Sequence, residues 1–322
     1  MIRGLGTFYA PPAVRDGVLY RGVVNAEHPL SLASCIDAGK WVIMHGWFCA
    51  GPPALNPVTN LYQCDPVYYP ALGDRPRVHA TCRDFVDENV YRPLDVEKQY
   101  DVIFNACWSG IKRPALFADA VEYAARAGRP ISCVWYGYHW QSPSGDGGTS
   151  RALEDHVRQR VQDLPVTFLH TEWNAAENNR RFNSARVAVL TSSAEGGPKV
   201  MAEAMLAGLP YLAAADVTGG SAAYLDAQNG NGGVFQPSPR AIAERIWQTL
   251  DTLDEFRPRE WALAHMCRAV GVRRVQAALR TLEDTLGWRI NWQDVDCDGA
   301  VSEDWWKPVI AADAAARNGH AR

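Results

Sequence analysis

The rhythm of apolar and polar positions changes near residue 98 of this 322-residue chain. From there to about residue 250, apolar runs of strand length alternate with amphipathic stretches of helical length, the pattern of a parallel sheet wound with helices. "YDVIFNACW" (100–108) reads as a buried strand, and "PALFADAVEYAARAG" (114–128) as a helix with proline at its start and glycine at its stop. Strand 129–138, helix 151–161, strand "VTFLH" (166–170), a helix around 174–183 and strand 186–192 continue the series. Strand "PYLAAAD" and the amphipathic helix "PRAIAERIWQTLDTL" (239–253) close it. The polar, glycine-rich stretch 141–150 interrupts it as a loop long enough to be mobile or functional. These elements predict one doubly wound domain.

The first ninety-odd residues follow no such rhythm, because Pro11, Pro12, Pro52, Pro53, Pro57, Pro66, Pro70 and Pro76 break it up. Two strands stand out, "LYRGVVNA" (19–26) and "KWVIMHGWF" (40–48), the latter after the short helical stretch "SLASCIDAG". A small irregular α/β domain over 1–97, a larger domain over 98–286 and a C-terminal tail over 287–322 that packs back on the body are expected.

Composition narrows the class without naming an activity. Hydrophobic residues make up 47% and charged residues 21%, values of a folded globular chain. No apolar run reaches the roughly 18 to 20 residues that span a bilayer, and the N-terminus has no apolar segment of signal-peptide length, so a cytoplasmic protein is expected. The eight cysteines show no C-x-x-C pair and read as free thiols. A net charge of −4 argues against nucleic acid as the default partner.

The most informative stretch is "EGGPKVMAEAMLAGLP", Glu195 to Pro210, which follows the strand "VAVLTSS". A strand, a glycine turn and a helix start in sequence leave the N–H groups of Gly196, Gly197 and Lys199 facing outward, a site that suits an anion. Pro198 fits the first helical turn, where its missing N–H loses nothing. Glu203, one turn in, can accept two hydroxyls of a ribose or sugar, while Glu195 sits in the loop before. Two acids around an anion site describe a ligand with phosphate in the middle and polyols at both ends, as in a nucleotide sugar.

The stretch resembles the signature of retaining GT-B glycosyltransferases of the group 1 kind (family 4): Glu, seven residues, Glu, then Ala-Met-x-x-Gly-x-Pro. "YDVIFNACWSGIKRPALFADAVEYA" is similar to that family's strand, loop with a phosphate-binding lysine, and helix; "SAAYLDAQNGNGGVFQPSPRAIAERI" is similar to its closing glycine-rich loop, strand and helix. The resemblance implies an α/β GT-B fold of two Rossmann-like domains facing a cleft, the N-terminal one here reduced. It implies an NDP-sugar-dependent hexosyltransferase that retains anomeric configuration and needs no cofactor or catalytic metal. By resemblance Glu203 holds the ribose, Glu195 and Lys112 act at the reacting centre, and Gly196, Gly197, Pro198 and Lys199 line the donor. "HPLSLASCIDAGKWVIMHGW" resembles the middle of the family's first domain, where a strand ends in a histidine facing the donor sugar; His45 holds that place. His45 is the candidate active-site residue of the first domain, with a core histidine bonded to backbone as the alternative, and His139 and His170 are expected to be structural or near the base pocket. The family's arginine five residues before the lysine is replaced by Cys107, which leaves Arg113 as the candidate substitute.

"DVDCDGAVSEDW" begins like a calcium loop with Asp294, Asp296 and Asp298, but Trp305 stands where a bidentate acid belongs, so an acidic turn is the stronger account. Expected partners are a nucleotide sugar and an acceptor hydroxyl on a glycan, a lipid-linked carrier or a small molecule. Two alternatives stay open. One is a transferase acting on hydroxymethylated DNA bases, with Arg180, Arg181, Arg186 and "VRRVQAALR" as local positive charge; the other is a non-catalytic nucleotide-sugar-binding module.

Overall fold

The computed structural model describes residues 7–26, 29–34, 36–46, 53–139, 150–170, 174–226 and 228–292. The chain divides into two compact units, one made of residues up to Thr81 with those from Gly271 on, the other of Cys82–Val270. The division thus falls sixteen residues before the expected boundary at 97/98, because the proline-containing segment after Thr81 packs into the second unit.

The first unit holds β1 (Thr7–Ala10), the hairpin β2 (Ala13–Arg15) and β3 (Val18–Tyr20), β4 (Gly22–Ala26), α1 (Pro29–Ala33), β5 (Trp41–Gly46), β6 (Leu61–Cys64), α2 (Tyr69–Leu72) and β7 (Arg77–His79). Its main sheet runs β1-β4-β5-β6-β7, with β4 to β7 parallel and β1 antiparallel at the edge. Val24, Leu32, Ile36, Trp41 and Ile43 form its main apolar cluster. The chain returns to this unit at its far end: Arg21 N–H donates to the Arg289 carbonyl at 2.7 Å and Asn291 N–H to the Arg21 carbonyl at 3.0 Å.

The second unit contains β8 (Tyr100–Cys107), α3 (Pro114–Arg126), β9 (Cys133–Tyr138), α4 (Arg151–Arg160), β10 (Val166–His170), α5 (Ala175–Asn183), β11 (Ala185–Leu190), α6 (Lys199–Leu206), β12 (Tyr211–Ala214), β13 (Gly232–Phe235), α7 (Pro239–Asp251) and α8 (Pro258–His265). The last helix, α9 (Arg268–Leu286), begins in it. All six strands are parallel, in the order β10-β9-β8-β11-β12-β13. Strands buried on both faces need apolar residues at consecutive positions, and β11 and β12 supply them. Two groups of helices cover the sheet: α3 with α4 and α7, and α6 with α5 and α8. Trp108, Trp135, Phe104 and Phe117 stack at 4.6 to 5.5 Å along β8, β9 and α3, each aromatic pair adding ~0.5–1.5 kcal/mol beyond its buried area. Gly232 is fixed by space: a Cβ there would lie 2.0 Å from the Tyr211 carbonyl oxygen.

After β8 the chain winds outward through β9 and β10, then returns to β8's other side as β11. The strand order therefore reverses between β8 and β11. In open α/β sheets, ligands bind outside the carboxyl ends of the strands at such a point.

Candidate donor-binding site

A cavity of about 530 Å³ opens at that reversal. The carboxyl ends of β8 (Asn105, Ala106), β9 (Tyr136, Tyr138) and β11 (Leu190) form its floor, and Gly197, Pro198, Lys199 and Glu203 one side. The opposing wall includes Val86, Asp87, Val90 and Tyr91, from the segment upstream of the sheet.

Lys112 reaches the cavity from a single 3-10 turn, Gly110–Lys112, after β8. Thr191 fastens this turn, its hydroxyl donating to the carbonyls of Lys112 (2.7 Å) and Arg113 (3.0 Å), and Ser193 N–H donates to the Ile111 carbonyl at 2.9 Å. Lys112 Nζ forms an ion pair with Glu195 Oε1, in which the carboxylate is 7% exposed. Glu195 is itself located by its N–H, which donates to the Thr218 carbonyl at 2.9 Å.

Gly197 follows with φ of 114°, a conformation that disfavours any side chain, and turns the backbone into α6. Pro198 is the N-cap and no side chain caps the helix, so its opening amides remain for a ligand. Of the expected donor residues, Lys112, Glu195, Gly197, Pro198, Lys199 and Glu203 share the cavity, with Gly196 buried between Glu195 and Gly197.

Glu203 is 5% exposed and forms no ion pair among the described residues. It accepts a hydrogen bond from Asn178 Nδ2 at 3.3 Å. Burial raises its pKa, while Lys199, Tyr91 and Asn178 pull the other way. The same burial, reinforced by the Glu203 charge, pushes the Tyr91 hydroxyl well above the ordinary phenol range, so Tyr91 stays a donor.

Arg113, expected beside the donor, is committed elsewhere. Its guanidinium donates to the carbonyls of Thr191 (2.5 Å) and Ser192 (2.8 Å) and forms a two-pronged pair with Asp216 at 2.7 and 2.8 Å. Its backbone is left-handed, φ 47° and ψ 50°; the following Pro114 disfavours the right-handed helical region, and the anchored fork holds the alternative. Arg113 thus braces the turn that carries Lys112. Cys107 brings no replacement charge, because burial raises its pKa and keeps it a thiol despite the nearby Lys112.

His45 lies in the first unit at the fifth position of β5, 2% exposed, with its ring 5.7 Å from that of Tyr62. His139 Nε2 stands 2.6 Å from Glu154 Oε2. Burial pushes the Glu154 carboxyl up, yet the His139 and Arg158 contacts outweigh it and hold it below the ordinary range. The side chain of His170, Asp294, Asp296, Asp298 and most of the 141–150 loop lie outside the described residues. Among the described residues no group of three or more His, Cys, Asp or Glu side chains is placed to hold a metal ion, and no helix is long and apolar enough to cross a membrane. Among the described cysteines, Cys64, Cys107, Cys133 and Cys267 are free thiols. Arg181 pairs with Glu177 and Arg186 with Asp101, which offsets much of the positive charge foreseen there.

Sequence reasoning missed Tyr91 and Asn178. The one local signal was "NAAENNRRFN", which puts four asparagines on a predicted helix where they are poor formers; Asn178, Asn179 and Asn183 are buried there.

A doubly wound parallel sheet with a capless helix start, a lysine and two carboxylates around one cavity has the architecture of a GT-B glycosyltransferase. Residues 102–252, somewhat under half of the chain, match the family model "Glycosyl transferases group 1". No curated protein matches the chain. Among solved structures, an S. aureus TarM mutant in complex with fondaparinux, alpha-GlcNAc-glycerol and UDP aligns with a TM-score of 0.59 at 12% identity, over 80% of this chain and 55% of its own. Sucrose-phosphate synthase of Thermosynechococcus elongatus aligns at 0.57 and 17% identity, over 80% and 71%. Anabaena HepE in complex with UDP-glucose aligns at 0.57 and 15% identity, over 82% and 78%. The chain therefore spans only about half the length of the TarM structure. At these identities the likeness is one of fold.

Proposed function

We propose that this protein is a retaining hexosyltransferase that moves a sugar from a nucleoside-diphosphate sugar to an acceptor hydroxyl. One observation carries the proposal: Glu203, Lys112, Glu195 and the uncapped start of α6 converge on a single cavity at the carboxyl ends of the strands. Glu203 accepts the ribose hydroxyls. The diphosphate lies along the Gly197–Lys199 amides, where the helix dipole favours negative charge. Lys112, held by Glu195, faces the leaving phosphate as the glycosidic bond breaks, and Lys199 adds a second cation where Cys107 provides none. Glu195 also reaches the sugar.

The transition state has oxocarbenium character, and fixed donors aimed at the departing diphosphate stabilise it more than the bound donor. The leaving phosphate takes the acceptor's proton, and no resident metal or cofactor enters this scheme. On the family resemblance His45 is a further candidate for turnover; if His45→Ala keeps full turnover, it is removed. UDP-sugars are the first donors to test, since HepE was solved with UDP-glucose.

The deciding experiment melts the wild-type protein with UDP-, GDP- and ADP-sugars, then assays hydrolysis or transfer with the stabilising donor. A ligand that binds only the folded state adds about 2.7 kcal/mol at a hundredfold excess over Kd. Stabilisation without hydrolysis or transfer selects the non-catalytic alternative; no stabilisation by any donor overturns the proposal.

A further inference from the structure

Tyr91 belongs neither to a helix nor to a strand, yet its segment is fastened from three helices. On α5, Asn179 Oδ1 accepts the Arg92 N–H (3.1 Å) and Asn179 Nδ2 donates to the Arg92 carbonyl (3.0 Å). Asn183 Oδ1 accepts the Leu94 N–H (2.8 Å) and Asn183 Nδ2 donates to the Arg92 carbonyl (2.9 Å). These two side chains treat the segment as a neighbouring strand would. On α8, Arg259 donates to the carbonyls of Tyr91 (2.9 Å), Glu88 (3.2 Å) and Leu206 (2.5 Å), the last at the C-terminal end of α6. On α9, Arg268 Nη1 donates to Asp87 Oδ2 at 3.1 Å. The Tyr91 ring meets Phe182 edge-on, with centroids 6.4 Å apart.

The hydrogen bonds inside the cavity run in one direction. Asn105 Nδ2 donates to Asn178 Oδ1 at 3.4 Å, which leaves the Asn178 amino group to donate to Tyr91 Oη at 3.2 Å and to Glu203 Oε2 at 3.3 Å. Tyr91 Oη and Glu203 Oε2 thus share one amide donor, which brings the phenol beside the carboxylate in the same cavity wall. A phenol oxygen that accepts from an amide has its own proton free to donate.

We propose that Tyr91 is a positioning residue for Glu203, a clamped phenol that donates its proton to the carboxylate and fixes its orientation for a nucleotide's ribose. The inference rests on the assignment of Glu203 to the ribose. Tyr91 itself touches no reacting atom. The other titratable groups around Glu203 are Lys199 on its own helix, Tyr136 and Tyr138 from β9 and Tyr211 from β12, with Glu195 and Lys112 elsewhere in the cavity wall.

The test is calorimetric titration of the full chain with UDP, GDP and ADP across mildly acidic to mildly alkaline pH, for wild type, Tyr91→Phe, Asn178→Ala and Glu203→Gln. In wild type, affinity for the preferred nucleotide falls on acidification as Glu203 takes up a proton. Tyr91→Phe keeps the ring against Phe182, weakens Kd by about tenfold at neutral pH, the loss of one hydrogen bond to a charged group, and moves the midpoint of the pH profile upward. KM rises while kcat stays within about twofold, because the lost contact is made equally in ground and transition states. Asn178→Ala shifts the midpoint in the same direction by a separate route, which keeps the test alive should Tyr91→Phe fail to fold. A wild-type Kd and midpoint in Tyr91→Phe, with affinity lost in Glu203→Gln, overturn this inference alone, as does weaker binding at an unmoved midpoint. Unchanged affinity in Glu203→Gln overturns the ribose assignment and the inference together.

Discussion

The two carboxylates of the cavity occupy opposite electrostatic settings. Glu195 faces a cation, Lys112, across an ion pair. Glu203 faces a phenol and an amide, and burial drives its pKa up. The seven residues between them thus separate a charge-balanced end, suited to a diphosphate and its leaving charge, from a neutral hydrogen-bonded end, suited to hydroxyls. A carboxylate that serves hydroxyls is most useful without a cation competing for its lone pairs. The chain maintains that condition at some expense in stability, as functional sites commonly do.

The comparison breaks most severely at Lys112. Lys112→Ala removes the cation and leaves Glu195 a buried unpaired carboxylate, so kcat falls by about 10²- to 10³-fold, the loss expected when a charge-stabilising donor is deleted. Steady-state kinetics check this, and a double variant Lys112→Ala/Glu195→Gln that recovers folding stability without recovering kcat separates the two duties. At the neutral end Glu203→Ala weakens donor binding by roughly 1.5–3 kcal/mol per charged hydrogen bond lost, read as Kd by calorimetry.

Glu203→Gln sharpens the contrast through pH. A carboxyl whose native pKa is raised contributes stability that is complete below its unfolded value of about 4.3 and is lost as pH rises through the native value. Glutamine has no such loss. Urea melts are therefore expected to show Glu203→Gln more stable than wild type in neutral and mildly alkaline buffer, with the difference vanishing in acid. Wild-type stability that does not fall over this interval relative to the variant contradicts the burial effect.

Arg113→Ala acts at one remove, by loosening the turn that carries Lys112 while the cation stays, so kcat/KM falls by about tenfold with Lys112 intact. Arg113→Gly, which accepts the left-handed backbone but lacks the fork, is expected to lose the same activity and less stability. The smallest effect is at Asn183→Ala. It orphans the Leu94 N–H and part of the Arg92 carbonyl's bonding, lowers stability by about 1–3 kcal/mol, and raises KM for the donor only modestly, since Arg259 and Asn179 still hold the segment.

How much of this was legible depended on whether the relevant residues are neighbours in sequence. Glu195, Gly197, Pro198 and Glu203 fall within one strand–turn–helix stretch, so spacing alone announced them. Lys112 was singled out only through the resemblance of its strand–loop–helix to the family's segment. Tyr91 was not, since its meaning comes from Asn178, 87 residues away. Arg113 was read as a donor contact because sequence shows a charge but not the carbonyls of Thr191 and Ser192 or the Asp216 carboxylate that engage it. In the first unit β6 and β7 escaped notice because Pro57, Pro66, Pro70 and Pro76 lie around them and mask short strands among turn signals. The long parallel strands of the second unit, apolar on both faces, carried their signal unaided.

The segment around Tyr91 also sets where this chain could be recombined. A transplant cut to the family-matched stretch 102–252 would take every strand of the six-stranded sheet except the first two residues of β8, yet leave behind the phenol and the arginine of α8 that pins it. Swaps meant to carry the cavity over whole therefore have their seams upstream of Cys82 and downstream of Arg268.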